Sequence, residues 1–366
     1  MGWDQGESPA VVSPARRGGR RPLVEPARGA KTGIESAMKK MDWVIFGVVA
    51  ALLLGLANQA ENLLPSSFDA GKFVPSVVER RDNIYGVCTV GDRVIWMAGT
   101  NGKIVRSEDG GKTWSEQESG VREHFQDIAA WDELRAVAVG NGGVIVITED
   151  GGKTWKAVES PRSEVANKLM QVTTGSAGRA WAVGIMGAIV GTKDYGATWA
   201  RLVPEEDIGW NGIDFCDDLR GWVVGEYGRM KRTVDGGDTW DDVETVEEGS
   251  LMSVAFRDGQ HGVAVGLEGK ILVTEDCGAR WAALDTSPTQ EHLWDVFWHE
   301  DLQSWICVGN LGTYVVGDKE GKNWRASRLS DKELLWHTSI AAVGPRVIIV
   351  GGSQGVLEGE NWSYIF

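Results

Sequence analysis

The chain has 366 residues, with 37 Lys or Arg against 52 Asp or Glu, so its formal net charge is −15. Residues 1–40 hold eight basic and four acidic side chains (+4), which leaves 29 basic and 48 acidic ones (−19) for the remainder. An acidic globular part repels phosphate, which argues against a nucleic-acid partner.

The first predicted element is a hydrophobic segment at residues 43–57, WVIFGVVAALLLGLA, behind a basic extension over residues 1–42 that we predict to be disordered. Its fifteen residues fall between the length of a signal-peptide core and the roughly twenty needed to span a bilayer. The segment is therefore either a signal peptide or an uncleaved transmembrane anchor. In both cases the flanking Lys39 and Lys40 stay in the cytoplasm, and we expect the rest of the chain to be periplasmic or held on the outer side of the inner membrane.

Residues 58–82, with Pro65 and Pro75, are predicted to be a linker. Beyond it, one phrase recurs through the chain, ending each time in Trp. It is written SEDGGKTW, TEDGGKTW, TKDYGATW, TVDGGDTW, TEDCGARW, GDKEGKNW and, in shortened form, EGENW. The closing tryptophans are at 114, 155, 199, 240, 281, 324 and 362. A fixed period of about 41 residues indicates a solenoid or a propeller, here with seven units.

Each unit also carries a Gly-x-x-Gly motif and short apolar runs with β-branched and aromatic bias, such as AVAVG, GWVVG and WICVG. The motif occupies these pairs: Gly99/Gly102, Gly140/Gly143, Gly184/Gly187, Gly225/Gly228, Gly266/Gly269, Gly309/Gly312 and Gly352/Gly355. These runs predict four strands per unit. Residues 83–366 are therefore predicted to be an all-β, seven-bladed propeller of four-stranded blades.

The repeated Asp-box phrase has a structural role in this interpretation. Its Ser/Thr and Asp side chains accept backbone N–H groups in the turn before the outer strand, and its Trp covers the edge between blades. The segment FVPSVV at 73–78 is a candidate for an extra strand that closes the ring. Four cysteines show no metal-like spacing; Cys216 and Cys307 are interpreted as small buried hydrophobic residues, with a disulfide left open.

The motifs of catalysis and cofactor binding are not recognisable in this sequence. The five histidines form no HExxH or HxH pattern, and a P-loop motif is missing. The string DGGDTWDD at 235–242 resembles a calcium loop but lacks the closing Glu. We therefore expect no enzyme activity, no cofactor and no metal.

Propeller geometry instead predicts a binding face at one end of the central channel, where the Gly-x-x-Gly turns and the loops leading into the inner strands converge. Polar and aromatic residues at these positions are the candidates for contact with a partner. They are Asn101, Asp127, Asn141, Gln171, Trp210, Glu226, Tyr227, Arg229, Glu268, Trp294, Asp295 and Asn310.

The phrases AVGNGGVIVITEDGGKTW and GWVVGEYGRMKRTVDGGDTW, within seven boxes, resemble the photosystem II stability/assembly factor family of seven-bladed propellers. The resemblance covers about residues 83–366. It implies an exported, non-enzymatic factor that assists the assembly or stability of a membrane protein complex through one propeller face. In photosynthetic members the client is a reaction-centre protein, held partly by arginines. Basic residues of Gly-Arg-Met-Lys-Arg-Thr around Arg229 fall where such residues can occur.

An alternative comes from the sialidases and other glycoside hydrolases, which carry Asp boxes on the same architecture. That resemblance implies an arginine triad, a Tyr nucleophile and an early Arg-x-Pro motif, and the exported part has no Arg-x-Pro. Tyr227, beside Glu226, is the one tyrosine placed on the candidate face. A propeller that binds carbohydrate or an exported peptide is the remaining alternative.

Overall fold

The computed structural model describes residues 76–79, 81–244 and 248–366. Within these ranges the chain forms seven four-stranded antiparallel sheets, each built from strands that are consecutive in sequence. The predicted fold class is confirmed. The predictions for residues 1–42 and 43–57 and for most of the linker lie outside the described ranges, and the described part contains no helix long and apolar enough to cross a membrane.

Blades 1 to 4 follow one another along the chain in the order of their box tryptophans. Blade 1 contains β1 Ile84–Val90, β2 Val94–Gly99, β3 Ile104–Ser107 and β4 Ser115–Gln117. Blade 2 contains β5 Phe125–Ala130, β6 Ala136–Gly140, β7 Ile145–Thr148 and β8 Lys156–Val158. Blade 3 contains β9 Leu169–Thr174, β10 Ala180–Gly184, β11 Ile189–Thr192 and β12 Ala200–Arg201. Blade 4 contains β13 Trp210–Phe215, β14 Gly221–Gly225, β15 Met230–Thr233 and β16 Asp241–Val243.

The last three blades repeat this order. Blade 5 contains β17 Leu251–Phe256, β18 Gly262–Gly266, β19 Ile271–Thr274 and β20 Ala282–Ala283. Blade 6 contains β21 Leu293–His299, β22 Ser304–Gly309, β23 Thr313–Gly317 and β24 Trp324–Arg328. Blade 7 contains β25 His337–Val343, β26 Arg346–Gly351, β27 Gly355–Glu358 and β28 Asn361–Tyr364. In the described part of the chain, five 3₁₀ turns occur at Thr100–Gly102, Ser176–Gly178, Glu226–Gly228, Leu267–Gly269 and Asn310–Gly312.

The hydrophobic core is divided among the seams between blades. Each of the seven buried clusters combines residues of two neighbouring blades, including the seam between blades 7 and 1. Because each blade buries its faces only against its neighbours, the ring is stabilised when every seam is filled, as in other repeat architectures.

The ring closes without an exchanged strand, since blade 1 and blade 7 are each contiguous in sequence. Their inner strands are linked instead by side chains: Val87 N–H donates to Ser339 Oγ at 3.2 Å, and Thr338 Oγ1 donates to the Tyr85 carbonyl at 3.1 Å. The predicted closing strand at 73–78 is not formed in its described part, where residues 76–79 lie outside any strand. Val78 is nevertheless buried in the seam between blades 7 and 1.

The Asp box folds its hairpin as predicted. In blade 4, Asp235 Oδ1 accepts the Thr239 N–H at 3.0 Å and Asp235 Oδ2 accepts the Thr239 hydroxyl at 2.6 Å. The Thr233 hydroxyl accepts the N–H of Gly237 at 2.9 Å, and Gly237 has a φ of +83°. The hydrogen bonds that the Asp235 carboxylate accepts, above all from Thr239, lower its pKa to about 2. The carboxylate thus makes its hydrogen bonds within the turn, which supports a structural role for the box.

Cys216 is buried, as interpreted, and the disulfide that the sequence left open is present. Cys216, which follows β13, forms a disulfide with Cys277 in the box of blade 5, with a Cα–Cα distance of 6.2 Å. The two residues are 61 positions apart in sequence, and the bond between them crosses the seam between blades 4 and 5. Cys307 is fully buried, as the sequence interpretation held.

The channel mouth as a candidate binding site

Every inner strand is irregular at its second residue. The antiparallel register skips from the first to the third residue, for example from Phe125 to Asp127, so the residue between them forms a β-bulge. The same shift occurs in all seven blades. The bulged residues are Tyr85, Gln126, Met170, Asn211, Met252, Trp294 and Thr338. A bulge redirects a side chain, and all seven of these line one cavity at the channel mouth.

The glycine that ends each second strand makes this arrangement possible. A Cβ on Gly140 would stand 2.1 Å from the His124 carbonyl oxygen, the last carbonyl before the inner strand. In the same place the N–H of Asn141 donates to that carbonyl at 2.9 Å. The equivalent contact occurs in every blade, and in blade 7 it is made by Gly351 rather than by the predicted Gly352. These glycines are therefore required by close backbone approach.

The cavity has a volume of about 380 Å³ and thirteen lining residues. One wall is aromatic: Tyr85 stacks on Trp336 with ring centroids 5.6 Å apart and planes 8° from parallel. On another side Trp294 Nε1 donates to Asn310 Oδ1 at 2.7 Å. The complete lining is Tyr85, Gln126, Asp127, Met170, Gln171, Asn211, Met252, Trp294, Asp295, Asn310, Trp336, Thr338 and Ser339. It combines apolar and aromatic surface with amides and two carboxyl groups, as ligand sites commonly do.

The third residue of most inner strands links one blade to the next. Asp127 Oδ2 accepts the Val172 N–H at 2.9 Å, and Gln171 Oε1 accepts the Ile213 N–H at 2.6 Å. Asp295 accepts the Ser253 hydroxyl at 2.8 Å and the Ile340 N–H at 3.0 Å, and thereby joins blades 5, 6 and 7. These side chains border the cavity and also hold its rim rigid.

Burial strongly perturbs the carboxyl groups around the channel. Loss of solvent raises the pKa of Asp127 to about 8 and the pKa of Asp295 to about 6. The hydrogen bonds that each carboxyl accepts lower its pKa, but by less than burial raises it. The neighbouring Asp214, which accepts the Phe256 N–H at 2.7 Å, has a pKa raised to about 7 for the same reason. At neutral pH these pKa values favour the protonated form of Asp127 and the ionised form of Asp295.

These shifts predict how stability depends on pH. A folded-state pKa above the unfolded value gives stability that is complete below the unfolded pKa and is lost as pH rises through the folded one. Between pH 6.5 and 8.5 the ring should therefore lose stability, and Asp127→Asn, which keeps the acceptor for Val172, should flatten that loss. At pH 8.5 we expect the variant to melt roughly a few degrees above the wild type. Thermal melts of both proteins across this range check the prediction, and parallel pH profiles would contradict it.

The tips of the Gly-x-x-Gly turns form an outer ring around the cavity. The second interior residue takes the left-handed conformation in most blades, with φ of +56° at Asn101, +57° at Tyr227, +56° at Glu268 and +54° at Leu311. Tyr227 is 70% exposed. A non-glycine side chain in this conformation is held at some cost, so the turn presents it outward on a fixed backbone.

The twelve predicted site residues fall into three groups. Five line the cavity: Asp127, Gln171, Trp294, Asp295 and Asn310. Five more belong to the surrounding turns, namely Asn101, Asn141, Glu226, Tyr227 and Glu268. Glu226 Oε2 accepts the Gly209 N–H at 2.8 Å, and Asn141 Oδ1 accepts a hydrogen bond from Gln126 at 3.3 Å.

The other two residues, Trp210 and Arg229, lie away from the cavity. Trp210 is the first residue of β13 and is fully buried in the seam between blades 3 and 4. Arg229 lies 5.6 Å from the centroid of that ring and forms ion pairs with Glu206 and Asp242. Its charge is therefore balanced by this chain's own carboxylates.

The sequence interpretation missed six of the seven bulged residues, all except Trp294, and an apolar area beside them. Leu311, Leu334 and Leu335 are 40%, 56% and 44% exposed, and the Leu335 carbonyl accepts the Gly312 N–H at 2.8 Å. Trp336, the next residue, belongs to the aromatic wall. The exposed leucines thus continue the apolar lining outward over blades 6 and 7.

This fold and site define a seven-bladed Asp-box propeller with a recessed cavity on its axis. A family model described as photosynthesis system II assembly factor YCF48 matches residues 114–209 and 203–290. Over these residues the match agrees with the resemblance seen in the sequence.

Several solved structures share the fold. YCF48 bound to a D1 peptide has a TM-score of 0.61 at 18% identity, over 74% of this chain and 89% of that one. YCF48 from Cyanidioschyzon merolae has a TM-score of 0.61 at 19% identity, over 76% and 95%. The WD40 propeller domain of Doa1 has a TM-score of 0.60 at 10% identity, over 75% and 91%. A search of curated proteins returned no match to this chain.

Proposed function

We propose that this protein is an exported, non-enzymatic propeller that assists the assembly or stability of a membrane protein complex by holding a client segment at the channel mouth. The observation that carries the proposal is the cavity built from one bulged residue of every blade, in a chain similar to the YCF48 assembly factors. One of those structures contains a D1 peptide, which gives a precedent for a peptide client.

The construction of the cavity suits recognition better than catalysis. Its rim is held by hydrogen bonds between blades, so little ordering is needed when a segment binds. A sialidase-type hydrolase is expected to use an arginine triad, and the thirteen lining residues include no arginine. Tyr227, the tyrosine that the alternative favoured, lies on an exposed turn, while Tyr85 of the cavity is stacked on Trp336.

Export is supported by the covalent chemistry of the ring. A disulfide between blades persists in an oxidising compartment such as the periplasm. The hydrophobic segment at residues 43–57 would provide either a cleaved signal or an anchor that keeps the propeller beside its membrane client.

Mild cross-linking in the native host, followed by detergent extraction, capture on a C-terminal tag and mass spectrometry, tests this function. We expect one integral membrane protein in stoichiometric amount. Recovery of the propeller alone would contradict the proposal, and a glycan array with a sialoside-hydrolysis assay would then test the alternative.

Changes on the candidate face should weaken capture of the client. We predict that Glu226→Ala with Tyr227→Ala lowers client recovery, because it removes an exposed aromatic side chain and the acceptor that fixes the neighbouring loop. Leu219→Ala is the matched control, since Leu219 is 55% exposed in a turn at the opposite end of the strands of the same blade. Equal recovery from both variants would remove the Glu226 turn from the binding site.

A further inference from the structure

The cavity at the channel mouth contains carboxyl groups that have no basic partner. Of its thirteen lining residues, Asp127 and Asp295 are acidic and none is Lys, Arg or His. Among the described residues neither carboxyl takes part in an ion pair, whereas buried basic groups elsewhere do have partners, as in the 2.7 Å pair of Lys231 with Asp242. A buried acid without a cation is costly unless it is protonated or a ligand supplies the charge.

The remaining walls suit an elongated cation. Met170 and Met252 offer adaptable apolar surface for an aliphatic stem, and Trp294 and the Tyr85–Trp336 stack offer aromatic rings for its charged end. The amides of the lining accept hydrogen bonds from a guanidinium or an ammonium group. A volume of about 380 Å³ has room for one long side chain rather than for a folded element.

From this geometry we infer that the channel mouth takes a single Arg or Lys side chain, supplied by the exported segment of the client. The inference rests on the proposed function for the source of that side chain and adds the chemistry of its recognition. Asp127 and Asp295 provide the countercharge, and the aromatic wall and the two methionines enclose the stem.

Binding should release a proton. Asp127 interacts electrostatically with the Cys88 thiol of β1 and with Asp295. Burial, and after it the charge of Asp295, raises the pKa of Asp214 and of Cys307. A bound cation favours the ionised form of Asp127 and lowers a pKa of about 8, so the proton passes to solvent at neutral pH. Affinity should therefore be about tenfold weaker at pH 6 than at pH 8.

Methyl NMR provides a direct test on the full propeller. With ¹³C-methyl methionine, residues 83–366 contribute five methionine signals, and Met170→Leu and Met252→Leu assign the two in the cavity. The probes are acetyl-Gly-Arg-Gly-amide and its neutral citrulline counterpart, together with acetyl-Gly-Glu-Gly-amide. We expect saturable shifts of Met170 and Met252, with the arginine peptide binding about tenfold more tightly than the citrulline peptide at pH 8.

The variant Asp127→Asn separates charge from shape, because its amide oxygen still accepts the Val172 N–H. It should remove most of the preference for arginine, while Leu219→Ala at the opposite end of the blade should keep it. Equal binding of arginine and citrulline, tighter binding of the glutamate peptide, or no saturable shift would overturn the inference. If a client is captured from cells but the cavity shows no preference for the arginine peptide, this inference alone is refuted. If the cavity binds the arginine peptide selectively but no client is captured, the proposed function alone is refuted.

Discussion

Replacement of Trp281 by Ala should lower the free energy of unfolding by about 3 to 5 kcal/mol. Trp281 ends the box of blade 5 and is only 8% exposed. Its ring lies edge-on to Trp222 of blade 4 at 5.7 Å and to Phe256 of its own blade at 6.0 Å. Truncation would therefore open a cavity in the seam between blades 4 and 5, and it would also remove two aromatic contacts.

Urea denaturation and thermal melts of the purified propeller measure this effect. Leu334→Ala is the control, since Leu334 is 56% exposed, and its unfolding midpoint should stay close to that of the wild type. Trp281→Phe should lose less than Trp281→Ala because it keeps part of the aromatic surface. An unchanged midpoint for Trp281→Ala would refute the packing role assigned to the box tryptophans.

The number and order of the blades could be predicted because the same short motifs, the Asp box and the Gly-x-x-Gly turn, recur in every unit of the sequence. Each box supplies its own hydrogen bonds, such as the hydroxyl of Thr233 accepting Gly237 N–H, so the hairpin forms from residues within one short segment. The apolar second strands are buried on both faces, which leaves a continuous apolar run that sequence analysis recognises. Ring closure was harder to predict, because it depends on contacts such as that of Val87 with Ser339 between the two ends of the propeller.

The candidate site was predicted only in part, because the bulge shifts which side chain enters the channel. Counting 28 residues back from the box Trp selects Asp127, and Asp295 lies one step off that count. Both carboxyls reach toward the next blade. The residue before each of them, Gln126 or Trp294, is the bulged one that lines the cavity. The glycine at the end of each second strand is a local signal for the close backbone approach and could have indicated this bulge.

A shift of one residue also separates tryptophans that look alike in sequence. Trp210, Trp294 and Trp336 all stand at the start of an inner strand. Trp210 is the first strand residue and fills a seam, Trp294 is the bulged second residue and lines the cavity, and Trp336 precedes its strand and stacks on Tyr85. Composition carries no information on this difference, because it arises from the pairing register of the sheet.

Removal of the disulfide should destabilise the seam between blades 4 and 5 by about as much as Trp281→Ala does. Cys216→Ser with Cys277→Ser opens a loop of 61 residues, and the entropy of the unfolded chain then predicts a loss of about 4 kcal/mol. Dithiothreitol should lower the unfolding midpoint of the wild type and leave that of the double variant unchanged. Cys88→Ala, which keeps the disulfide, should retain the response to the reductant.

The disulfide and the box tryptophan should also be coupled. The Cys277 carbonyl accepts the indole N–H of Trp222 at 3.0 Å, and Trp222 is the ring on which Trp281 packs. Once Trp281→Ala has loosened the seam, loss of the disulfide should cost a different amount than it does in the wild type, since residues in contact are rarely additive. A double-mutant cycle in urea measures that difference. Strict additivity would mean that the covalent bond and the aromatic packing hold blades 4 and 5 together independently.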